Sequence, residues 1–352
     1  MMGLPTLWFC LVSLMLALYV VFDGFDLGAG ILHLFAKPEE RARIRESLGP
    51  VWHGNLVWLL AAGGTLYFAF PAVYARAFSG FYLPLILVLW LLVFRALGLE
   101  LAEHVHHPVW RSFWGACFGL ASLALAIVLG AALGNVIRGV PLDRDGRFFA
   151  PFWTDFGTEG HVGVLDWYTV LAGATAALVL SFHGAHWLAL DSGGGWGAVA
   201  RRLHRPLGVA VAVLTAASFY VQPHIVERLT KEIWGFGIPM LAISSYLASR
   251  RLLAAGKAPQ AFLMSCLLVL ALVASAAFGI YPYLLPSNTD LSLGLTAEAA
   301  AAPAYGLKIG LLWWFPGMGL VALYFTLLYR KFATRTGSPH SAEPPPGEDA
   351  VS

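Results

Sequence analysis

The chain has 352 residues, of which 59% are apolar and only 12% charged, with a formal net charge of +2. Those proportions exclude an ordinary water-soluble domain, point to a lipid bilayer as surroundings, and give no footing for nucleic acid. Cys10, Cys117 and Cys266 stand far apart inside apolar stretches, which suits neither a zinc site nor a disulfide framework.

A hydrocarbon core of about 30 Å needs about 20 helical residues at 1.5 Å each. In chain order, apolar segments fall near 6–34, 53–74, 79–98, 112–137, 164–189, 205–222, 233–249, 259–284 and 305–329. The expected fold class is therefore an all-α polytopic membrane protein with about nine transmembrane helices. Residues 1–22 carry no charge. They lack a basic start and a small-residue cleavage site, so the first segment reads as a spanning helix and not a signal peptide. The seventh is the weakest: it is short, contains Pro239, and reads equally as a re-entrant or interfacial piece.

Placing the N-terminus outside puts most of the 22 basic residues in inside loops, among them Lys37, Arg41, Arg43, Arg45, Arg201, Arg202, Arg205, Arg250, Arg251 and Lys257. This bias predicts an outside N-terminus and a cytoplasmic C-terminus, and it agrees with an odd number of spans. Residues 1–335 are expected to form a single membrane domain. Gly193-Gly194-Gly195 offers a flexible break between halves 1–192 and 196–335. Residues 336–352, polar and bearing Pro344-Pro345-Pro346, read as a disordered cytoplasmic tail. Gly24/Gly28, Gly130/Gly134, Gly306/Gly310 and Gly63-Gly64 predict close helix packing. Tryptophans such as Trp52, Trp58, Trp110 and Trp187 fit an interfacial aromatic belt.

Carboxylates inside an apolar helix are costly and raise a functional hypothesis. Asp23 and Asp26 stand three apart on one helical face, and Asp23 lies about 24 Å along the helix from Leu7. Both therefore fall in the inner half of the membrane. His53 and Asn55 enter from the same side at the start of the second segment. Two readings remain open for the carboxylates: a proton or ion pathway, or capping and pairing with arginines of the 37–45 loop. His53 has an unperturbed pKa of about 6.5 and reads as a proton relay or as a donor to a backbone carbonyl. His183 and His186 are candidates for metal or haem ligation, against structural hydrogen bonding. His104, His106 and His107, with Glu100 and Glu103, read as a polar inside loop.

Several of these stretches resemble subunit II of cytochrome bd-type quinol oxidases. The resemblance rests on Phe22-Asp-Gly-Phe-Asp-Leu-Gly-Ala-Gly30, Trp52-x-Gly-Asn-x-Val-Trp58, Leu59 through Tyr74, Phe94-Arg95, Gly134-Asn-x-x-x-Gly-Val-Pro141, His183-Gly-Ala185 and Tyr281-Pro-Tyr-Leu-Leu-Pro-Ser287. It covers residues 7–335 in order. It implies two four-helix bundles plus one peripheral helix in the cytoplasmic (inner) membrane of a prokaryote. It further implies a subunit that binds no haem of its own and packs against a haem-bearing subunit I. Haems b and d, or b alone, are then expected in that partner, and quinol is the substrate. A small single-helix accessory subunit is compatible with it.

By the same resemblance, Asp23, Asp26, His53, Asn55 and Glu100 are candidates for proton uptake from the cytoplasm, with no catalytic, cofactor or metal residue in this chain. Two departures bear on that route. The family usually has Trp-Asp-Gly-Asn where this chain has Trp52-His53-Gly54-Asn55, and that aspartate is the one assigned to the route. After Arg95 the family's acidic-aromatic-basic run is replaced by Gly98-Leu-Glu-Leu-Ala-Glu-His104, leaving Glu100 as the acidic member. A proton- or cation-coupled transporter is the alternative, although it calls for matched broken helices in two halves and only the seventh segment looks broken. An assembly partner without a proton role is the third reading.

Overall fold

The computed structural model describes residues 3–105, 107–160, 162–190 and 195–336, with side chains as far as Arg330. Gly193, Gly194, His106 and the tail from residue 337 lie outside the described residues. The chain forms two compact units, residues 1–310 and 311–352. The first holds α1 (Leu4–Phe35), α2 (Pro38–Leu48), α3 (Trp52–Ala69), α4 (Pro71–Gly80), α5 (Tyr82–Leu101) and α6 (Pro108–Arg138). It continues with α7 (Trp167–Leu188), α8 (Trp196–Val221), α9 (His224–Lys231), α10 (Gly237–Ala254) and α11 (Ala258–Ile280). A short hairpin of β1 (Tyr283–Leu285) and β2 (Leu295–Thr296) follows, then α12 (Ala297–Ala300) and the start of α13 (Ala304–Thr336). The second unit is α13 from Leu311 onward.

Seven helices among the described residues are long and apolar enough to cross a membrane: α1, α5, α6, α7, α8, α11 and residues 304–330 of α13. The 18-residue helices α3 and α10 are not among them. The expected 53–74 segment is not continuous. Pro71 has no N–H and clashes with the carbonyl four residues back, so α3 ends at Ala69 and Pro71 restarts the chain as the first residue of α4. Pro239 breaks nothing, because it sits in the first turn of α10, where its missing N–H has no partner to lose.

α1 is the axis of the first unit. It packs on α3, α6, α7 and α11, and every residue from Asp23 to His33 is buried, as expected for a helix surrounded by others. Its closest neighbour is α7. A Cβ on Gly28 would fall inside the Leu180 carbonyl and 2.9 Å from the Gly184 nitrogen, so the two backbones touch. Gly130 and Gly134 seat α6 against α7 in the same way, at Ala176 and Ala172. The expectation for Gly63-Gly64 is not met within the chain: neither glycine, nor Gly306, has an atom within 4 Å of its would-be Cβ. Trp52, Trp58 and Trp187 are buried, so these three are core residues and not members of an interfacial belt.

At the other end of the bundle, the long 139–166 connection is tied down next to α6. Gly139 ends α6 with φ +94°, a conformation glycine adopts without strain. Val140 then exchanges backbone hydrogen bonds with Pro286 (3.0 Å) and Asn288 (3.2 Å).

Candidate functional site

Periodicity places Tyr19, Asp23 and Asp26 on one face of α1, and the fold points that face at α3 and α5. Arg95, the lone charge of the apolar 79–98 stretch, reaches across from α5. It donates from Nη1 to Asp23 Oδ2 (2.9 Å) and from Nη2 to Asp23 Oδ1 (2.6 Å), a bidentate pair. The same Nη2 lies 3.7 Å from Asp26 Oδ2. Asn55 of α3 donates from Nδ2 to that Asp26 oxygen at 3.0 Å. Asp23, Asp26 and Asn55 are wholly buried, and Arg95 is nearly so.

The arrangement is asymmetric. One guanidinium faces two carboxylates, so the cluster carries −1 with both ionised and is neutral with one proton bound. Asp23 has both oxygens engaged by Arg95. Asp26 Oδ1, Arg95 Nε and the Tyr19 hydroxyl are buried without a hydrogen-bond partner among the described residues. Buried polar groups are ordinarily all paired, so three such atoms at one place mark a spot where polar capacity is left over.

The arginines of the 37–45 loop are not the partners of Asp23 and Asp26, contrary to one of the two expectations. Arg45 donates from Nη1 to His33 Nε2 (2.8 Å) and from Nε and Nη2 to Glu103. Arg41 caps the end of α1 through the carbonyls of Ala36 (3.1 Å) and Leu34 (3.3 Å).

His53 does not join the buried cluster. Two residues along a helix is a rotation of about 200°, so Asn55 turns inward while His53 turns out, with its side chain 72% exposed. Its ring lies tilted against Trp52 with centroids 3.7 Å apart, and its Nε2 lies 4.0 Å from Glu100 Oε1. Glu100 links this pair to an open cleft of about 520 Å³, lined by Arg45, Trp52, Glu100, Glu103 and His104 among others. The sequence candidates thus fall into two groups: Asp23, Asp26 and Asn55 inside, and Glu100 at the cleft with the exposed His53 4.0 Å from it.

Of the two histidines on α7, only His183 has both ring nitrogens engaged; His186 Nε2 is buried without a hydrogen-bond partner among the described residues. His183 has Nδ1 on the Ser265 hydroxyl (2.8 Å) and Nε2 on the Val21 carbonyl (3.0 Å), leaving no ring nitrogen to offer an iron. His186 has Nδ1 on the Phe182 carbonyl at 2.9 Å, within an aromatic group of Phe182 and His204. Among the described residues no group of three or more His, Cys, Asp or Glu is placed to hold a metal ion.

An all-helical membrane subunit with a buried, charge-unbalanced cluster is the class these features define. The chain matches the family described as "Cytochrome bd terminal oxidase subunit II" over residues 4–332, and it belongs to that family. It is 29% identical over 342 residues to "Cytochrome bd-I ubiquinol oxidase subunit 2" of Escherichia coli strain K12, covering 86% of this chain and 87% of that one. It is 27% identical over 314 residues to "Cytochrome bd ubiquinol oxidase subunit 2" of Bacillus subtilis strain 168, covering 88% and 90%. In fold it is similar to a chain of the bd oxidase from Geobacillus thermodenitrificans, with a TM-score of 0.71 over 94% of this chain and 99% of that one, at 21% identity. The protein is thus a membrane subunit of a quinol:oxygen oxidoreductase of the respiratory chain, and subunit II implies a subunit I.

Proposed function

We propose that this chain supports a haem-bearing subunit I and carries protons toward it from the cytoplasm. The single observation behind this reading is the surplus of carboxylate over guanidinium at Asp23, Asp26 and Arg95. A fully paired cluster would hold its charge fixed. This one changes between −1 and 0 by the movement of one proton, and Asp26 has the unpartnered oxygen to receive it.

The residues divide the work. Arg95 engages both Asp23 oxygens through two hydrogen bonds and keeps a positive charge 3.7 Å from Asp26. Asn55 fixes the other Asp26 oxygen. The cleft, with His53 and Glu100 at its side, collects protons. Glu100 lies five residues inward of Arg95 on α5, about 7–8 Å along the axis. On α1, Tyr19 lies seven residues, about 10 Å along the axis, from Asp26 in the outward direction, as the next group able to take part.

The nine-span, N-out and C-in arrangement in a prokaryotic inner membrane belongs to this reading, as do two four-helix bundles with one peripheral helix. So do haems b and d, or b alone, in subunit I, and quinol as the electron donor. The haems supply the chemistry of oxygen reduction when bound there, and this chain holds and moves protons. An accessory single-helix subunit is compatible with it. With electrons delivered from outside and protons drawn from inside, turnover separates charge without pumping.

The test is purification of the tagged chain in mild detergent, with a visible spectrum and identification of co-purifying chains, followed by oxygen consumption of Asp26→Asn. Haem bands with a second polytopic chain, and slowed turnover at an unchanged spectrum in D26N, are the expected results. A colourless solitary chain would reject the oxidase assignment in favour of a transporter. Full turnover in D26N would leave an assembly role alone.

A further inference from the structure

The inner ends of α8, α10 and α11 carry a second charged feature, one that the proton route does not use. Arg201, Arg202 and Arg205 lie near the start of α8, Arg250 and Arg251 near the end of α10, and Lys257 just before α11. All six are exposed. Among the described residues, none of their side chains makes a hydrogen bond or ion pair; every recorded ion pair involves other groups. No aspartate or glutamate occurs in 195–226 or in 233–289, and Glu227 and Glu232 belong to the opposite end, beyond α8. Asp191, the acidic residue nearest in sequence, lies outside the described residues.

The basic residues of α8 and α10 are brought to one level by a clasp. His204 Nε2 meets the Tyr246 carbonyl at 2.9 Å, the Tyr246 hydroxyl donates to the His204 carbonyl at 2.7 Å, and the two rings lie 3.9 Å apart. Arg201 and Arg250 each stand about one turn from that clasp on the inner side. Beyond the clasp in the other direction, the exposed stripes become apolar. On α8 the stripe through Arg202 and Arg205 continues with Val209 and Val213, and on α10 the stripe ending in Arg250 and Arg251 is built from Met240, Ile243 and Leu247.

Inside-facing arginines alone need only a general bias of charge. Here the cations have no ion-pair partner among the described residues, are gathered at the ends of adjacent helices, and each helix runs directly into an exposed apolar column. A basic head region joined to an apolar column is complementary to one molecule type, an anionic glycerophospholipid, with its phosphate among the arginines and its acyl chains along α8 and α10.

We propose that the α8–α10 edge is a binding site for an anionic phospholipid of the inner leaflet, with Arg201, Arg205, Arg250 and Arg251 holding the headgroup phosphate. The site does not depend on the proton route.

The experiment uses the chain purified from its own membranes in mild detergent with its co-purifying partners. Bound lipid is quantified by mass spectrometry in wild type, in R201Q/R205Q/R250Q/R251Q, and in R144Q, which alters an exposed cation of the outer 139–166 connection. The quadruple variant should retain at least threefold less anionic phospholipid than wild type, with R144Q unchanged. Equal retention in the quadruple variant and wild type overturns the proposal.

A wild-type measurement covers a variant that fails to assemble. Delipidated wild-type complex is titrated with phosphatidylglycerol, phosphatidylcholine or inorganic phosphate while its Tm is followed. A saturable rise with phosphatidylglycerol alone supports the site. The same rise with phosphatidylcholine reduces the surface to ordinary lipid contact, and a rise with inorganic phosphate makes it an anion site without lipid; either result overturns the proposal.

Discussion

Among the described residues there are two buried Arg–Asp pairs, and they are built to opposite specifications. At the C-terminal end of α6, Arg138 donates to the Gly139 carbonyl (3.1 Å), the Gly163 carbonyl (3.2 Å), Asn135 Oδ1 (2.8 Å) and Asp166 Oδ2. Asp166 in turn caps α7, accepting from the amides of Tyr168 (2.8 Å) and Thr169 (2.9 Å), while Thr169 Oγ1 accepts from the Asp166 amide (2.9 Å). One cation meets one anion, and neither residue leaves a buried polar atom unpartnered. In the Arg95 cluster one guanidinium meets two carboxyl groups, and both Asp26 and Arg95 leave an atom over among the described residues. Complete satisfaction suits a pair that holds the fold, and the unused polar capacity is the feature on which the proposed proton role rests.

This contrast orders the mutations. The largest loss is expected from Asp166→Ala, which strands Arg138 in the interior and removes the cap of α7. Breaking a buried pair from one side costs about 3–5 kcal/mol, with about 1 kcal/mol more for the cap. The accumulated amount of complex and its Tm are the readouts, and wild-type values for both would end the structural assignment.

Arg95→Leu comes next, because it leaves two carboxylates without a cation, again about 3–5 kcal/mol. Adding Asp23→Asn in the same chain should recover part of that loss, since removing both members of a buried pair is far milder than removing one. Absence of recovery in R95L/D23N would show that Asp23 is not the partner on which Arg95 depends.

Asp26→Asn should leave assembly near wild type, because the amide is isosteric and the displaced charge was the unbalanced one. Its effect belongs to turnover, on the order of a hundredfold, the lower range for a lost proton-transfer group, with the haem spectrum unaltered. The smallest change is expected at the cleft. His53→Ala should slow oxygen consumption and alter its pH profile, and His53→Asp should restore the rate. An unchanged rate and profile in H53A would remove His53 from the route.

Much of this was readable from residues alone, and the failures have physical causes. Asp23, Asp26 and Asn55 could be brought together on paper because helical spacing and depth were sufficient. Arg95 could have been found from its isolation in an apolar run, but its pairing joins positions 72 apart in sequence, and local periodicity carries no information on which helix lies across from α1. His53 reads at the same depth as Asn55, but two residues of helical rotation turn its side chain to the surface and not into the cluster. The 53–74 segment was apolar enough to read as one helix, and only the geometry of Pro71 divides it. Gly63-Gly64 looked like a packing site of the familiar kind, yet small residues fit an open face equally well.

The position of Arg95 also has a consequence for biogenesis. α1 leaves the ribosome before α5, carrying both carboxylates, and its counter-ion is encoded 72 residues downstream. At about 5–20 residues per second, that interval lasts roughly 4–14 s. On an insertion scale an aspartate at mid-helix costs about 2.5–3.5 kcal/mol, while each leucine, valine or phenylalanine returns only about 0.3–0.6. The long apolar run of α1 is what lets it enter the membrane alone, and the arrival of α5 turns a tolerated defect into the polar centre of the subunit.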